Sequence, residues 1–115
     1  MSKRSPGLLV EDILESIEKI ERYTEGMTRN SFQNDEKTAD AVVRNLEIIG
    51  EAAGRLPEDF INRHSEIEWI KIVGLRNRIV HEYFGVDLQL IWQILKNDLP
   101  IFKQFVKNIR AELKD

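Results

Sequence analysis

The segment Ala41–Ala53, which reads AVVRNLEIIGEAA, decides the fold class of this chain. Its apolar residues recur at intervals of three and four, so they line one side of an α-helix. The apolar stripe extends past the segment and consists of Val42, Leu46, Ile49, Ala53 and Leu56. Asn34 or Asp35 can cap the start of this helix, and Pro57 closes it.

The same spacing indicates an earlier amphipathic helix. Its stripe is Leu9, Ile13, Ile17 and Ile20, and the helix frays near Gly26. The polar residues 28–36 are typical of a loop between these two helices. After Pro57, we expect a short helical turn through Phe60 and Ile61.

The third predicted helix has a charged residue in its apolar stripe. Ser65 and Glu68 match a capping box that opens this helix. It runs toward Tyr83, and Gly85 ends it. The stripe consists of Trp69, Ile72, Val73, Ile79 and Val80. Arg76 falls in the middle, and burying a guanidinium costs several kcal/mol unless it is paired. Arg76 must therefore hold a salt bridge or open onto a polar cavity or an interface.

A fourth helix begins after Asp87, which can cap it. Its stripe is Leu88, Ile91, Leu95, Phe102, Val106, Ile109 and Leu113. Pro100 removes a backbone donor, so we expect the helix to be kinked or broken there. Strand signals are weak throughout. The four stripes predict a single all-α domain, residues 1–115, folded as an up-down bundle of four to five helices, and in one alternative the last helix splits in two.

Composition restricts the functions that the chain can have. It has 115 residues, a net charge of −3, no cysteine and two histidines, His64 and His81. The lack of cysteine excludes a disulfide framework, a thiolate metal site and a cysteine nucleophile, and two histidines argue against a histidine-rich metal centre. No apolar run approaches the roughly 20 residues of a membrane span, and the start lacks the apolar region of a signal peptide. We expect a cytoplasmic protein without a metal or cofactor.

The stretch Arg76–Tyr83, which reads RNRIVHEY, concentrates side chains suited to phosphate chemistry. Arg76 can bind a phosphodiester, His81 can move a proton near neutral pH, and Tyr83 offers a modifiable hydroxyl. The acidic balance of the whole chain argues against a general nucleic-acid coat, but the cluster of Arg76 and Arg78 can engage a few phosphates. We therefore expect a small, site-focused contact with RNA.

Arg76 and His81 do not share one face of an ideal helix, because they lie about 140° apart around its axis. Two solutions are open. Either the helix ends near His81 and turns the ring inward, or two copies pack about a two-fold axis and merge their motifs into one pocket. We favour the second. The structural alternative is that Arg76 anchors a carboxylate or a helix end within the bundle while Tyr83 completes the core.

Other polar and aromatic residues are assigned mostly structural roles. His64 lies in a short connector and is expected on the solvated surface. Asn45 is a support candidate, placed to bond a buried polar group on the third helix. Glu47 and Glu51 are typical of the solvated face of a charged helix. Four aromatic residues at helical spacing are expected in the core: Trp69, Trp92, Phe102 and Phe105.

The third helix resembles the HepT-like ribonuclease toxins of the HEPN superfamily, whose hallmark is Arg, four to six residues, His, one residue, Tyr. Arg76, His81 and Tyr83 match it, and Asn77 is the polar residue that usually follows the arginine. Arg78 is too near His81 to be the motif arginine. The segment 41–53 is similar to the family's second helix. The segments 74–77, 86–87 and 99–100 are similar to its later half, so nearly the whole chain is covered.

This resemblance implies a helical homodimer whose two motifs face each other and act as a metal-independent endoribonuclease on tRNA or mRNA. Arg76 and His81 would be catalytic, and Asn77 and Arg78 would support the substrate phosphate. The resemblance also implies a type VII-like toxin–antitoxin pair, in which an MntA-like nucleotidyltransferase silences the toxin by adenylylating Tyr83. One alternative is a non-catalytic nucleotide-binding or docking subunit of a nucleotidyltransferase complex. Another is a pure interaction module in which Arg76 is a buried structural charge.

Overall fold

The computed structural model describes residues 4–81 and 85–114, and for Val80, His81 and Lys114 the description is of the backbone. Helices dominate the described residues, and two strands of two residues each interrupt them. The elements are, in chain order, α1 (Pro6–Thr24), α2 (Arg29–Gln33), α3 (Glu36–Gly54), α4 (Glu58–Arg63), α5 (Trp69–Val73), α6 (Leu75–Ile79), β1 (Val80–His81), β2 (Gly85–Val86), α7 (Leu88–Gln93), a π-helical segment (Ile94–Asp98) and α8 (Leu99–Lys114). The predicted all-α class is confirmed.

The core lies between the three long helices. α1 packs along α3 and also against α8. Both predicted stripes on α1 and α3 are buried in full, as are Ile91, Leu95, Phe102, Val106 and Ile109 of the fourth stripe. Leu113, which was assigned to that stripe, is exposed. None of the helices among the described residues is long and apolar enough to cross a bilayer.

Local hydrogen bonds set the ends of the first long helix, α1. The Ser5 side chain accepts from the Leu8 backbone N–H at 3.3 Å, and proline occupies the first helical position. Past the end of α1, Gly26 has a φ of 76°, in the left-handed region that favours glycine. The predicted first helix and its end near Gly26 are confirmed.

The predicted loop at residues 28–36 is wrong, because this stretch contains the helix α2. Thr28 and Ser31 form a capping box, in which the Ser31 N–H donates to Thr28 Oγ1 at 3.1 Å and the Thr28 N–H donates to Ser31 Oγ at 2.9 Å. Phe32 is fully buried and its ring centroid lies 5.4 Å from that of Trp92. A five-residue helix with one buried side chain leaves no periodic pattern in the sequence.

The helix α3 begins where a cap was predicted. Asp35 Oδ1 accepts from the Thr38 N–H at 3.0 Å, and this hydrogen bond holds the pKa of the Asp35 carboxyl below its ordinary value. Pro57 does not end α3, which stops at Gly54; it precedes α4 instead. The predicted helical turn through Phe60 is confirmed as α4, with Phe60 buried.

The third predicted helix is wrong in its extent. It is two five-residue helices, α5 and α6, and α6 ends at Ile79, well before Tyr83. The residue preceding α5 is Glu68, with no side-chain cap, so the predicted Ser65 box does not form. Ser65 instead lies in a turn whose neighbour Ile67 is buried. Two strands follow, paired antiparallel with Val80 opposite Val86 and His81 opposite Gly85.

The last predicted helix is continuous rather than broken. Asp87 caps it as predicted, accepting from the Leu90 N–H at 3.0 Å. The hydrogen bonding changes from α to π between Ile94 and Asp98 and returns to α at Leu99. Pro100 is the second residue of α8 and lies inside this continuous helix, two residues after the π-helical segment ends. The helix therefore passes through Pro100 with a local change of winding.

Candidate active site

The short helix α6 presents three consecutive polar residues to solvent. Leu75 and Ile79, four apart on one side of the turn, are buried in the core. Arg76, Asn77 and Arg78 lie between them and are all exposed. Two apolar side chains thus anchor the turn, and the predicted phosphate-binding residues project from its outer surface.

Arg76 lies beside a carboxylate and lines an open groove, as its place in the apolar stripe required, although the side chain is not buried. Its side chain is 76% exposed, and its Nε lies 3.8 Å from Glu47 Oε2. The stripe assumed one continuous helix, but the chain leaves α5 at Gly74 and restarts as α6, so residues on either side of Gly74 do not keep one phase. Val73, another member of that stripe, is exposed as well. An exposed guanidinium in the single chain does not fit the interaction-module alternative, in which Arg76 is a buried structural charge.

Glu47 differs from the solvated carboxylate that was predicted. Its side chain is 28% exposed and faces Arg76 across the contact between α3 and α6. Together with Arg76, it lines an open groove of about 380 Å³. The other lining residues are Gly50, Glu51, Gly54, Arg55 and Val73. Glu51 is exposed, as predicted, and Glu47 is the member of the pair that reaches the motif arginine.

Arg78 is directed to a different part of the molecule. Its Nη2 lies 3.6 Å from Oδ2 of Asp98, the last residue of the π-helical segment. Arg76 and Arg78 are about 200° apart around α6, so they occupy opposite sides of the turn. Asp98 was not predicted to be near the motif, because nothing local in the sequence marks a carboxylate that meets Arg78 from a separate element.

The chain leaves the helix before it reaches the motif histidine. α6 ends at Ile79, and His81 lies in β1 with its backbone paired opposite Gly85. The helix therefore does end near His81, as one of the two predicted solutions required. The direction of the His81 ring and the position of Tyr83 lie outside the described residues. Asn77 occupies the exposed surface between Arg76 and Arg78.

Two other predictions about polar residues are wrong. Asn45 is buried, but its Nδ2 donates to the Ala41 carbonyl of its own helix at 2.9 Å rather than to the third helix. The side chain of His64 is only 12% exposed. Its ring centroid lies 4.6 Å from that of Phe60, and its Nδ1 lies 3.8 Å from Glu66 Oε1. His64 is thus partly buried by local packing.

The aromatic residues belong to the core as predicted, to different degrees. Trp69 and Phe102 are buried in an edge-to-face contact, with ring centroids 6.2 Å apart. Trp92 and Phe105 are partly buried against the core. The Nζ of Lys96 lies 4.6 Å from the Trp92 ring. Residues 4–81 and 85–114 contain no cluster of three or more histidine or acidic side chains that could hold a metal ion.

Known proteins resemble this chain along most of its length. The profile of the family described as Ribonuclease HepT-like matches residues 13–109. A protein of Methanocaldococcus jannaschii, named as an RNase candidate, is 39% identical over 116 residues, which cover 97% of this chain and 96% of that protein. The probable ribonuclease HepT of Thermococcus cleftensis is 43% identical, with 94% and 98% of the two chains covered.

A shorter match concerns a protein named for its substrate. The mRNA nuclease HepT of Shewanella oneidensis is 40% identical over 42 residues, which cover 36% of this chain and 32% of that protein. No solved structure matches the chain significantly.

Proposed function

The chain belongs to the ribonuclease HepT-like family, and from this premise we propose that it cleaves RNA without a metal ion through Arg76 and His81. The resemblance drawn from the sequence and the prediction of an endoribonuclease are both confirmed at the level of the family. The assignment of this activity to particular residues is our proposal.

The solvent-exposed turn of α6 carries the proposal. Three consecutive polar side chains, two of them cationic, stand on a turn that is fixed by buried Leu75 and Ile79. The chain reaches His81 two residues after this turn ends. A phosphodiester can therefore approach Arg76 from solvent and lie close to the segment that carries the histidine, with no need to open the core.

The chemistry follows from the side chains. The ribose 2′-hydroxyl attacks the adjacent phosphorus, so the O2′–P bond forms and the P–O5′ bond breaks, leaving a 2′,3′-cyclic phosphate and a 5′-hydroxyl. His81, with an ordinary pKa of about 6.5, can take the proton from the 2′-hydroxyl or deliver one to the leaving oxygen. Arg76 neutralises the charge that grows on the non-bridging oxygens, and Asn77 orients the phosphate or the histidine. Arg78, which lies beside Asp98 on the opposite side of α6, is assigned a supporting contact with another phosphate of the same strand.

We propose that two copies form the working site as a homodimer. One histidine cannot be acid and base in the same step, whereas two copies related by a two-fold axis supply one of each. Two exposed apolar residues of α5, Ile70 and Val73, precede the active turn and offer a surface that a second copy could cover. These side chains support the proposal that the dimer axis runs close to the motif.

We further propose that the protein is the toxin of a type VII-like toxin–antitoxin pair in the cytoplasm. Its partner would be an MntA-like nucleotidyltransferase that attaches AMP to Tyr83. Each attached group adds bulk and negative charge two residues from His81, which would repel RNA phosphates and occupy Arg76. The open position of Arg76 supports this switch, because an exposed guanidinium can turn toward a modified neighbour.

The proposal is tested by incubating purified protein with a mixed RNA pool in EDTA and identifying the new ends. We expect cutting that leaves cyclic phosphates, spares DNA and is abolished in His81→Ala. His64→Ala is the matched control, because it removes the other histidine of the chain and should retain cleavage while folded. Light scattering on the same samples gives the number of copies.

A negative result is informative when the protein is folded and Tyr83 is free of AMP. Absence of cutting by this protein would refute the nuclease assignment. It would favour the alternative of a nucleotide-binding or docking subunit of a nucleotidyltransferase complex. Cutting that persists in His81→Ala would instead show that residues other than His81 perform the acid–base catalysis.

A further inference from the structure

The two members of the Glu47–Arg76 contact differ in how firmly they are held: the carboxylate is mostly buried and the guanidinium is mostly exposed. Glu47 lies in the middle of the 19-residue helix α3, beside buried Leu46, and its side chain is 28% exposed. Arg76 stands on a five-residue turn, and its side chain is 76% exposed. The carboxylate is thus held by the core while the guanidinium is restrained mainly from one side.

The geometry leaves the outer edge of the guanidinium available. The nearest atoms are Arg76 Nε and Glu47 Oε2, 3.8 Å apart, so the carboxylate lies beside the inner nitrogen. A guanidinium binds a phosphate best through two parallel N–H groups, and its terminal nitrogens offer such a pair. Glu47 can therefore hold Arg76 from the side of the protein while the terminal nitrogens bind the substrate.

We propose that Glu47 is the positioning residue of Arg76, aiming its terminal nitrogens at the phosphate that is cleaved. This inference rests on the proposed nuclease function. An ion pair whose guanidinium is 76% exposed and 3.8 Å from the carboxylate adds little to stability, so Glu47 matters through orientation rather than through folding. Its negative charge also opposes RNA phosphates, so its removal should not weaken substrate binding. Removing the charge of Glu47 should therefore misorient Arg76, which lowers kcat, and reduce the repulsion of RNA, which leaves KM unchanged or lower.

The spacing between α3 and the α5–α6 segment is fixed independently of this ion pair. A Cβ on Gly50 would lie 3.2 Å from the Ile72 carbonyl oxygen and 3.4 Å from that of Val73. The backbones of α3 and α5 therefore touch one turn after Glu47 and directly before the start of α6. Removing the charge of Glu47 should leave the position of α6 unchanged and release only the side chain of Arg76.

The kinetic test compares Glu47→Gln with Asp40→Asn on one RNA substrate. Asp40 lies two turns earlier on the same face of α3, is exposed, and loses the same charge. We expect kcat of Glu47→Gln to fall about tenfold with KM unchanged or lower, because misplacement of a charge-stabilising group affects the transition state. Asp40→Asn should match the wild type, and Glu47→Asp, which keeps the charge, should be intermediate. An unchanged kcat in Glu47→Gln overturns the proposal.

A second readout does not depend on RNA cleavage. NMR of arginine Nε–H groups in the free protein reports how freely each guanidinium rotates, and Arg76→Lys assigns the Arg76 signal. We expect Glu47→Gln to accelerate rotation of Arg76 and to leave Arg78, paired with Asp98, unchanged. If the wild type cuts no RNA, the nuclease proposal fails and this signal alone decides the role of Glu47. An Arg76 signal that is identical in the wild type and in Glu47→Gln overturns the proposal that Glu47 positions Arg76.

Discussion

The layer formed by α1, α3 and α8 and the segment from α5 to β2 are stabilised in different ways. The first consists of helices of 19, 19 and 16 residues, whose apolar stripes bury one another. The second consists of two five-residue helices and two two-residue strands. Helices this short are unstable alone and depend on the surface beneath them. The long helices therefore provide the stable core, and the segment from α5 to β2 packs on it and carries the residues of the proposed chemistry.

The two regions also differ in how the roles of neighbouring residues are distributed. On the long helices, each stripe residue adds to the same core, and no single one defines a site. On α6, adjacent residues have opposite roles, because Ile79 is fully buried and Arg76 is 76% exposed. Buried anchors and the residues of the proposed chemistry therefore lie within four residues of each other on α6, and substitutions can test whether stability and activity separate there.

The largest effect is expected from paired substitutions on this turn. Arg76→Ala should lower the cleavage rate about 100- to 1000-fold, since it removes the charge that stabilises the transition state. It should change the free energy of unfolding by less than about 1 kcal/mol, because the side chain is exposed. Ile79→Ala should cost about 2–5 kcal/mol of stability through the cavity it leaves. Urea unfolding and RNA cleavage on the same preparations measure both quantities.

The opposite pattern would contradict this separation. If Arg76→Ala destabilised the protein by about 3–5 kcal/mol, the guanidinium would be acting as a buried, paired charge after all. Ile79→Ala should cut RNA at a rate near that of the wild type when it is assayed below its own melting temperature. A folded Ile79→Ala protein without activity would show that the turn moves when its anchor is shortened.

The difference between the regions explains how much the sequence could predict. Stripes of four to seven apolar residues, together with caps at Asp35 and Asp87, located the long helices, because a repeated pattern and a local hydrogen bond are both encoded nearby. The same method failed at α2 and at the division between α5 and α6. These elements are one or two turns long, and their positions depend on contacts with Phe32, Leu75 and Ile79.

The candidate site was predictable in its residue types and not in its surroundings. The motif named Arg76 and Asn77, and the structure places both on the exposed turn. Arg76 holds the ion pair that its position in the stripe required, but it is exposed, because the stripe was extended through Gly74, where the helix stops. Glu47 and Asp98 lie on other elements, so no spacing in the sequence connects them to Arg76 or Arg78.

A smaller effect should follow from changing the contact between the two regions. Gly50→Ala places a Cβ 3.2 Å from a backbone oxygen of α5, which must then move by a few tenths of an ångström. Overpacking of this kind costs about 1–3 kcal/mol and is offset by roughly 0.5–1 kcal/mol from the higher helix propensity of alanine. We expect a net loss of about 1–2 kcal/mol in urea unfolding, together with slower RNA cleavage.

Gly54→Ala is the matched control for Gly50→Ala. It lies one turn later on the same face, where the single atom of the described residues within 4 Å of a Cβ would be Val73 Cγ1, at 3.7 Å. That is an ordinary contact, so the substitution should be neutral or slightly stabilising and leave cleavage unchanged. If both alanine variants behaved alike, the close approach of α3 and α5 at Gly50 would not be what sets the position of α6.

The smallest effect is expected at the start of α3, far from the active turn in the sequence. The hydrogen bond from the Thr38 N–H lowers the pKa of Asp35 in the folded protein. The stabilisation from its charge is therefore complete above the unfolded value of about 3.9 and is lost as the pH falls through the lower folded value. An asparagine at this position would keep an acceptor for the Thr38 N–H without the charge, so Asp35→Asn should lose less stability than the wild type between about pH 5 and pH 3. Melting temperatures across that range measure the difference, and equal slopes would exclude a charge effect at this cap. RNA cleavage at neutral pH should be the same in both proteins, because α3 is fixed along its whole length by the core.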